Sequence, residues 1–394
     1  MLTLSERIDG IALSEIVAIS EAAARMRAEG HDVLALSTGE PDFPTPPHVC
    51  AAAHAAMQAG QTRYPPTAGA ADLRGAIAKA AGVEAGNVIV CTGAKQVLAD
   101  LFLATLNSGD EVIVPAPHWT SYSDIISMSG GRTILLCCGA EAGFKMTPEQ
   151  LEAAITPRTR WLLLNSPSNP TGAVYSKDEL AALGQVLERH PHVWIASDEI
   201  YDLICYTPFV SFRQACPALA DRTLVINGVS KAHAMTGWRI GWGIGPAELI
   251  KAMIAVQGQI TSGACSIAQA AALAALSGDQ SHIASRAAEF RARRDLVVGA
   301  LEEIPGIACA TPDGAFYVFP SCEGVLGQST PEGKRLETDA DFCAFVLAFT
   351  GLAIVPGRAF GLPGHFRLSY AYARRDLEDG CMRLKRAVAA LNAT

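Results

Sequence analysis

The sequence predicts an α/β protein, with a large domain on a mainly parallel seven-stranded sheet flanked by helices and a smaller α+β domain. Three observations carry this. Through the middle of the chain, segments rich in β-branched residues alternate with Ala/Leu/Glu-rich segments of helical period, the trace that strand–helix–strand units leave. The chain has 394 residues, more than one core of ~250–300 residues accommodates, so a second domain is expected. Polar residues gather at the C-terminal ends of the expected strands, where open α/β sheets bind ligands.

The elements follow in order. A helical segment at 14–29 leads to the link Gly39-Glu40-Pro41-Asp42-Phe43-Pro44-Thr45-Pro46-Pro47. Its prolines forbid regular helix and central strand, so it reads as a crossing between domains. Seven expected strands lie at 87–91, 111–115, 133–137, 160–164, 193–197, 223–227 and 240–244. After about residue 280 come an Arg-rich helix (Arg286, Arg291, Arg293, Arg294) and short strands at 315–319 and 366–369 with helices between. The expected division is a large domain at 45–280 and a small one formed by 1–44 with 281–394. The mixed-charge stretch 329–338 is expected to be a mobile loop.

Composition narrows the partners. Half the residues are hydrophobic and 18% charged, with mean hydropathy +0.22, which predicts a compact chain with much of its surface buried, as an oligomer would bury it. A net charge of −8 gives no electrostatic reason to hold nucleic acid or anionic lipid, so small molecules are the expected partners. The 11 cysteines include no C-x-x-C pair and are expected to be reduced core residues; no metal site is expected. The first residues lack a basic start followed by an apolar run, and no apolar stretch of ~18 residues occurs, so the expected location is the cytoplasm.

The chemistry sits in a few short motifs. Lys231 lies in Ser230-Lys231-Ala232-His233, just past the strand at 223–227, with Arg239 further on. A lysine buried among apolar neighbours loses basicity and becomes an amine nucleophile, which imine chemistry with an aldehyde cofactor needs, and Arg239 would anchor that cofactor's phosphate. A surface lysine at a helix start is the plainer alternative. Thr92-Gly93-Ala94-Lys95-Gln96 joins a strand to a helix expected from Val97; its outward N–H groups make a phosphate cup, or an ordinary glycine turn. In Asn165-Ser166-Pro167-Ser168-Asn169-Pro170-Thr171-Gly172 two prolines aim Asn169 at a ring oxygen, unless the segment is only a turn. Asp198, in Ser197-Asp198-Glu199-Ile200-Tyr201, can keep a pyridine nitrogen protonated so that the ring drains charge from a carbanion; a helix N-cap is its other reading. His233 reads as packing. Gly241-Trp242-Gly243-Ile244-Gly245-Pro246 lacks the third glycine offset of a dinucleotide fingerprint, and the glycines before Lys334 are misplaced for a P-loop.

In this order the motifs resemble the class I, fold-type I pyridoxal phosphate-dependent aminotransferases, and within them the bacterial aspartate aminotransferase branch. Ser37-Thr38-Gly39-Glu40-Pro41-Asp42-Phe43, Tyr64-Pro65-Pro66-Thr67-Ala68-Gly69 and Phe366-Arg367-Leu368-Ser369-Tyr370-Ala371 complete the likeness, which runs from about Ser14 to the C-terminus. The resemblance implies pyridoxal 5'-phosphate joined to Lys231, with Asp198 on its ring nitrogen and Asn169 and Tyr201 on its ring oxygen. It implies Gly93, Ala94, Lys95, Ser230 and Arg239 around the phosphate, Trp119 stacked on the ring, and Tyr64 reaching in from the second subunit of a homodimer. Arg367, with Asn169 and the backbone of Gly39, would hold the substrate's α-carboxylate, Trp119 lying beside it.

The implied reaction moves an amino group between an L-amino acid and a 2-oxo acid by a ping-pong cycle; a β-eliminating lyase on the same scaffold is the alternative. Dicarboxylate-specific relatives need a cation for the distal carboxylate. The segments carrying Ile16 and Leu103 offer none, which leaves the side-chain preference open.

Overall fold

The structure is a computed structural model that describes residues 5–9, 11 and 15–392. Its centre is one sheet of seven strands: β1 (Val88–Cys91), β2 (Glu111–Ala116), β3 (Arg132–Cys137), β4 (Thr159–Asn165), β5 (Trp194–Asp198), β6 (Thr223–Gly228) and β7 (Gly241–Ile244), ordered β1-β7-β6-β5-β4-β2-β3. β7 pairs antiparallel with both β1 and β6, while the other four pairings are parallel. Helices cover both faces, so even the edge strand β1 is buried throughout, and the interior strand β4 reads as an apolar run, with Trp161, Leu162, Leu163 and Leu164 in the core. The other edge strand, β3, has no fully buried residue.

All seven expected strands are present, most shifted by a residue or so at an end. Asn87 closes a 3-10 turn ahead of β1, and Val193 and Ile240 precede their strands. The helix expected from Val97 starts three residues earlier, at Ala94, with Gly93 at φ +81° as its cap. Beginning at Ala94 brings the first N–H groups of the helix to the end of β1.

The N-terminal segment joins the C-terminal third through strand pairing. Leu34–Ala35 runs parallel to Leu352–Ala353, and Val355–Pro356, Phe366–Ser369 and Tyr317–Val318 make a second small antiparallel sheet. Leu36 shares a core with Phe316, Leu352, Phe366 and Leu384. The short strands around 34 and 352 carry too little pattern to be seen in sequence. Ser14 lies outside the described residues, as does the side chain of Ile16.

Two expectations need correction. The stretch 329–338 is tied down: Ser329 exchanges backbone hydrogen bonds with Asn392, Leu336 donates its N–H to Gln328, and Leu336 is fully buried. All eleven cysteines are free thiols, but Cys50, Cys137 and Cys265 are exposed, so not all are core residues. Cys137 is exposed at the end of the edge strand β3, where no further strand covers it.

Candidate active site

The C-terminal ends of β1, β4, β5 and β6, together with residues 38–40, enclose a cavity of about 390 Å³, within the range of small-molecule sites. Its lining includes Gly39, Ala94, Lys95, Trp119, Asn169, Asp198, Tyr201, Ser230, Lys231, Arg239 and Arg367. Residues up to 329 positions apart in the chain, Thr38 and Arg367, thus meet in one place, because parallel strands deliver their C-termini to a common edge.

Lys231 follows β6 after Val229 and Ser230. Its Nζ donates to the carbonyl of Gly39 at 2.7 Å and lies 5.7 Å and 5.9 Å from the ring centroids of Tyr201 and Phe316. Burial lowers its amine to about 8, with the Arg367 guanidinium acting in the same direction and Glu40 and Asp198 opposing. The cation therefore rests on a neutral acceptor and loses its proton readily.

Asp198 ends β5 and is 3% exposed. Its Oδ2 accepts from the Tyr122 hydroxyl at 2.6 Å and its Oδ1 from the N–H of Ile200 at 3.2 Å. Burial raises the acid to about 6, against the pull of those two donors and of Lys231. Asp198 caps a turn as well as lining the cavity, so both sequence readings have substance. Asn165 donates to the carbonyl of Asp198 and accepts from the N–H of Asn169, which locks the two strand ends together.

Arg367, on the strand Phe366–Ser369, is also 3% exposed. It donates to Asn169 Oδ1 at 2.9 Å and to the carbonyl of Ser37 at 2.5 Å, and its Nε is buried without a partner. The rings of Tyr317 and Phe360 lie 4.7 Å and 4.8 Å from the guanidinium. Every group facing it in these bonds is neutral. Tyr201, buried, shares a hydrogen bond of 2.9 Å with Tyr317, and its hydroxyl is held protonated by burial and by that neighbour.

At the other end, Arg239 sits in the left-handed region with φ +57° and donates to the carbonyl of Thr236. Lys95 lies 4.8 Å from the Trp119 ring, and burial, helped by Arg239, lowers its amine against Asp124. Gly93 is needed here: a Cβ at that position would run into the Arg239 guanidinium, and φ +81° disfavours any side chain. Two cations, the start of the helix Ala94–Thr105 and Ser230 thus surround one end of the cavity, while an acid, Asp198, lies at its deep side.

This arrangement fits pyridoxal 5'-phosphate by its donor set: an amine that deprotonates near neutrality, a buried acid, an anion cup, and a guanidinium with an unused N–H. Residues 31–384 match the family model for aminotransferase class I and II. The chain belongs to that family. It is 51% identical to the aspartate aminotransferase of Rhizobium meliloti (strain 1021) over 391 residues, 97% of this chain and 95% of the relative. It is 48% identical to the aspartate/prephenate aminotransferase of Cereibacter sphaeroides over 400 residues, the whole of both. The crystal structure of a Rhizobium meliloti aspartate aminotransferase superposes with TM-score 0.97 at 50% identity over all of both chains. The aspartate aminotransferase of Thermus thermophilus with maleate gives 0.91 at 39%, over 98% of this chain and 100% of the other. The protein is a pyridoxal phosphate-dependent aminotransferase, and amino-group transfer is favoured over the β-elimination weighed from sequence.

Two expected site residues do not line the cavity: Gly93, which packs against the Arg239 guanidinium, and Tyr64, which is 94% exposed. Leu103 is half exposed on the helix Ala94–Thr105 and likewise does not line it. Gly39 presents its carbonyl to Lys231. His233 is buried beside His282, as packing requires. Sequence reasoning passed over Tyr122 and Tyr317. Tyr122 stands three residues after Trp119, which the resemblance had marked; nothing local marked Tyr317.

Proposed function

We propose that the cavity holds pyridoxal 5'-phosphate on Lys231 and that Arg367 receives the α-carboxylate of an L-amino acid, whose amino group passes to a 2-oxo acid. The observation that carries this is Arg367: a buried guanidinium bonded to neutral oxygens alone, with Nε to spare, is arranged for an incoming carboxylate. Bound there, the coenzyme supplies an aldehyde carbon and a protonated ring that withdraws electrons from the donor's Cα.

The chain's own groups do the rest. Lys231 forms the covalent link as a free amine and, displaced from it, is the base that takes the Cα proton and the acid that returns it. Asp198 holds the proton on the ring nitrogen. Tyr201 and Asn169 donate to the ring oxygen, and Gly93, Ala94, Lys95, Ser230 and Arg239 hold the phosphate. Trp119 covers the ring face and excludes water.

The relatives' names make aspartate the first donor to test. The cavity's own cations, Lys95, Lys231, Arg239 and Arg367, each have a role in this scheme, so a distal carboxylate must be met by another group, including one from a second subunit. We assign Tyr64 to a second subunit's site in a homodimer, which its full exposure supports. The division into residues 45–280 and 1–44 with 281–394 is supported by the pairing of Leu34 with Leu352. A cytoplasmic setting is supported by the free thiols; no helix among the described residues is long and apolar enough to cross a membrane.

The test is to add pyridoxal 5'-phosphate, reduce with borohydride and map the label, then mix the loaded protein with single amino acids and follow the matching oxo acids by mass spectrometry. Label on Lys231 and an oxo acid from aspartate are expected. A label on another peptide overturns the coenzyme assignment, and no oxo acid from any donor overturns the substrate reading.

A further inference from the structure

Tyr122 is fully buried with its hydroxyl on Asp198 Oδ2 at 2.6 Å, and nothing in the scheme above uses it. It opens the helix Ser121–Met128 beyond β2, whereas Asp198 ends β5, with β4 lying between the two strands. The bond therefore clamps the acid from across the sheet. The ring has little room to turn: Trp119 meets it edge-on at 5.4 Å and His118 at 6.4 Å.

We propose that Tyr122 is a positioning residue for Asp198, fixing one carboxylate oxygen and favouring the ionised acid on the side of the cavity where the coenzyme's ring nitrogen is held. This rests on the assignment of Asp198 to that nitrogen. Burial drives Asp198 towards its neutral form, and a neutral carboxyl cannot keep a pyridine protonated. A hydroxyl donor stabilises the charged form, and the Tyr122 proton stays on its own oxygen because burial and the adjacent Asp198 charge raise that phenol far above its usual range. The second donor, the N–H of Ile200, is longer at 3.2 Å and cannot replace it.

The experiment is Tyr122→Phe, which removes one oxygen, with Tyr122→Met as a second apolar replacement should the first fold poorly. Affinity of the apoprotein for pyridoxal 5'-phosphate is read by protein fluorescence from pH 5.5 to 9, beside the pH profile of kcat/KM and the melting temperature. Affinity should fall about tenfold near pH 6–7 and recover towards pH 9, with the acid limb moving up by about one pH unit. In an Asp198→Asn background the same substitution should add nothing. A loss equal at all pH values, an unmoved acid limb, or an undiminished effect in the Asp198→Asn background overturns the proposal. Borohydride labelling separates the two levels: label on Lys231 with an unmoved limb sinks only Tyr122, whereas no label in the unaltered protein removes the premise and Tyr122 with it.

Discussion

Replacing Arg367 by methionine should abolish most of the activity while leaving the apoprotein as stable as before. The guanidinium is bonded to Asn169 and to the carbonyl of Ser37, both neutral, with Nε unpaired. Taking an unpaired charge out of the interior relieves a desolvation cost of several kcal/mol, and leaving two acceptors bare returns about 1–3 kcal/mol each, so the terms nearly cancel. The melting temperature should stay within about 3 °C. The substrate loses far more: two charge-assisted bonds at ~1.5–3 kcal/mol each give a deficit of about 3–6 kcal/mol, a drop of ~10²–10⁴ in kcat/KM. Every amino donor carries the same α-carboxylate, so aspartate, glutamate and an aromatic donor should suffer alike. Arg367→Lys should fall between, keeping charge but losing the fork. Steady-state kinetics on three donors beside calorimetry of the apoprotein decides it. A loss confined to acidic donors would assign Arg367 to the distal carboxylate, and a melting point that collapses with activity would make it a structural residue.

Other consequences are as open to test. Uptake of pyridoxal 5'-phosphate needs the free amine of Lys231, so its rate, followed by absorbance, should rise through about pH 8; a midpoint near the usual 10.5 would contradict the lowered value. The unfolded chain keeps that proton between about 8 and 10.5, so Lys231→Met should stabilise the apoprotein at pH 7 and the advantage should fade by pH 10.5, by thermal denaturation across pH. Gly93→Ala, which forces Arg239 aside and strains a backbone at φ +81°, should weaken coenzyme binding about tenfold or more by equilibrium dialysis; an unchanged affinity would put the phosphate elsewhere. Mixing inactive Tyr64→Ala and Lys231→Ala proteins should restore about a quarter of native activity if Tyr64 serves the other subunit. No recovery would keep Tyr64 out of the site.

Much of this was legible before the fold was seen, for a physical reason. A parallel sheet buried on both faces writes its strands as apolar runs, and its ligand chemistry as polar residues just after them, as in Cys91-Thr92-Gly93, Leu164-Asn165 and Ala196-Ser197-Asp198. What escaped was whatever depends on distant pairing. Two-residue strands such as Leu34–Ala35 have no period to detect and exist only because Leu352–Ala353 lies beside them. Tyr317 looks like one more core aromatic until the fold sets its hydroxyl on Tyr201 and its ring under Arg367. The side-chain preference was hidden for the same reason, since Leu103 and Tyr64 face out of the single chain's cavity.

The two buried cations show how the site stays ready without being neutralised. A carboxylate beside Lys231 or Arg367 would have satisfied either one cheaply, and would then have had to be displaced by coenzyme or substrate against a charge-assisted bond. Backbone carbonyls at Gly39 and Ser37 and the amide of Asn169 hold the same geometry through neutral acceptors, which bring no counter-charge to be displaced. Both carbonyls belong to the segment Ser37-Thr38-Gly39, which the pairing of Leu34 with Leu352 fixes over the sheet's edge. On the proposed reading the strand pairing at 34 would serve catalysis: it supplies well-placed neutral partners that hold two charges in position yet leave their electrostatic attraction available to the ligands that arrive.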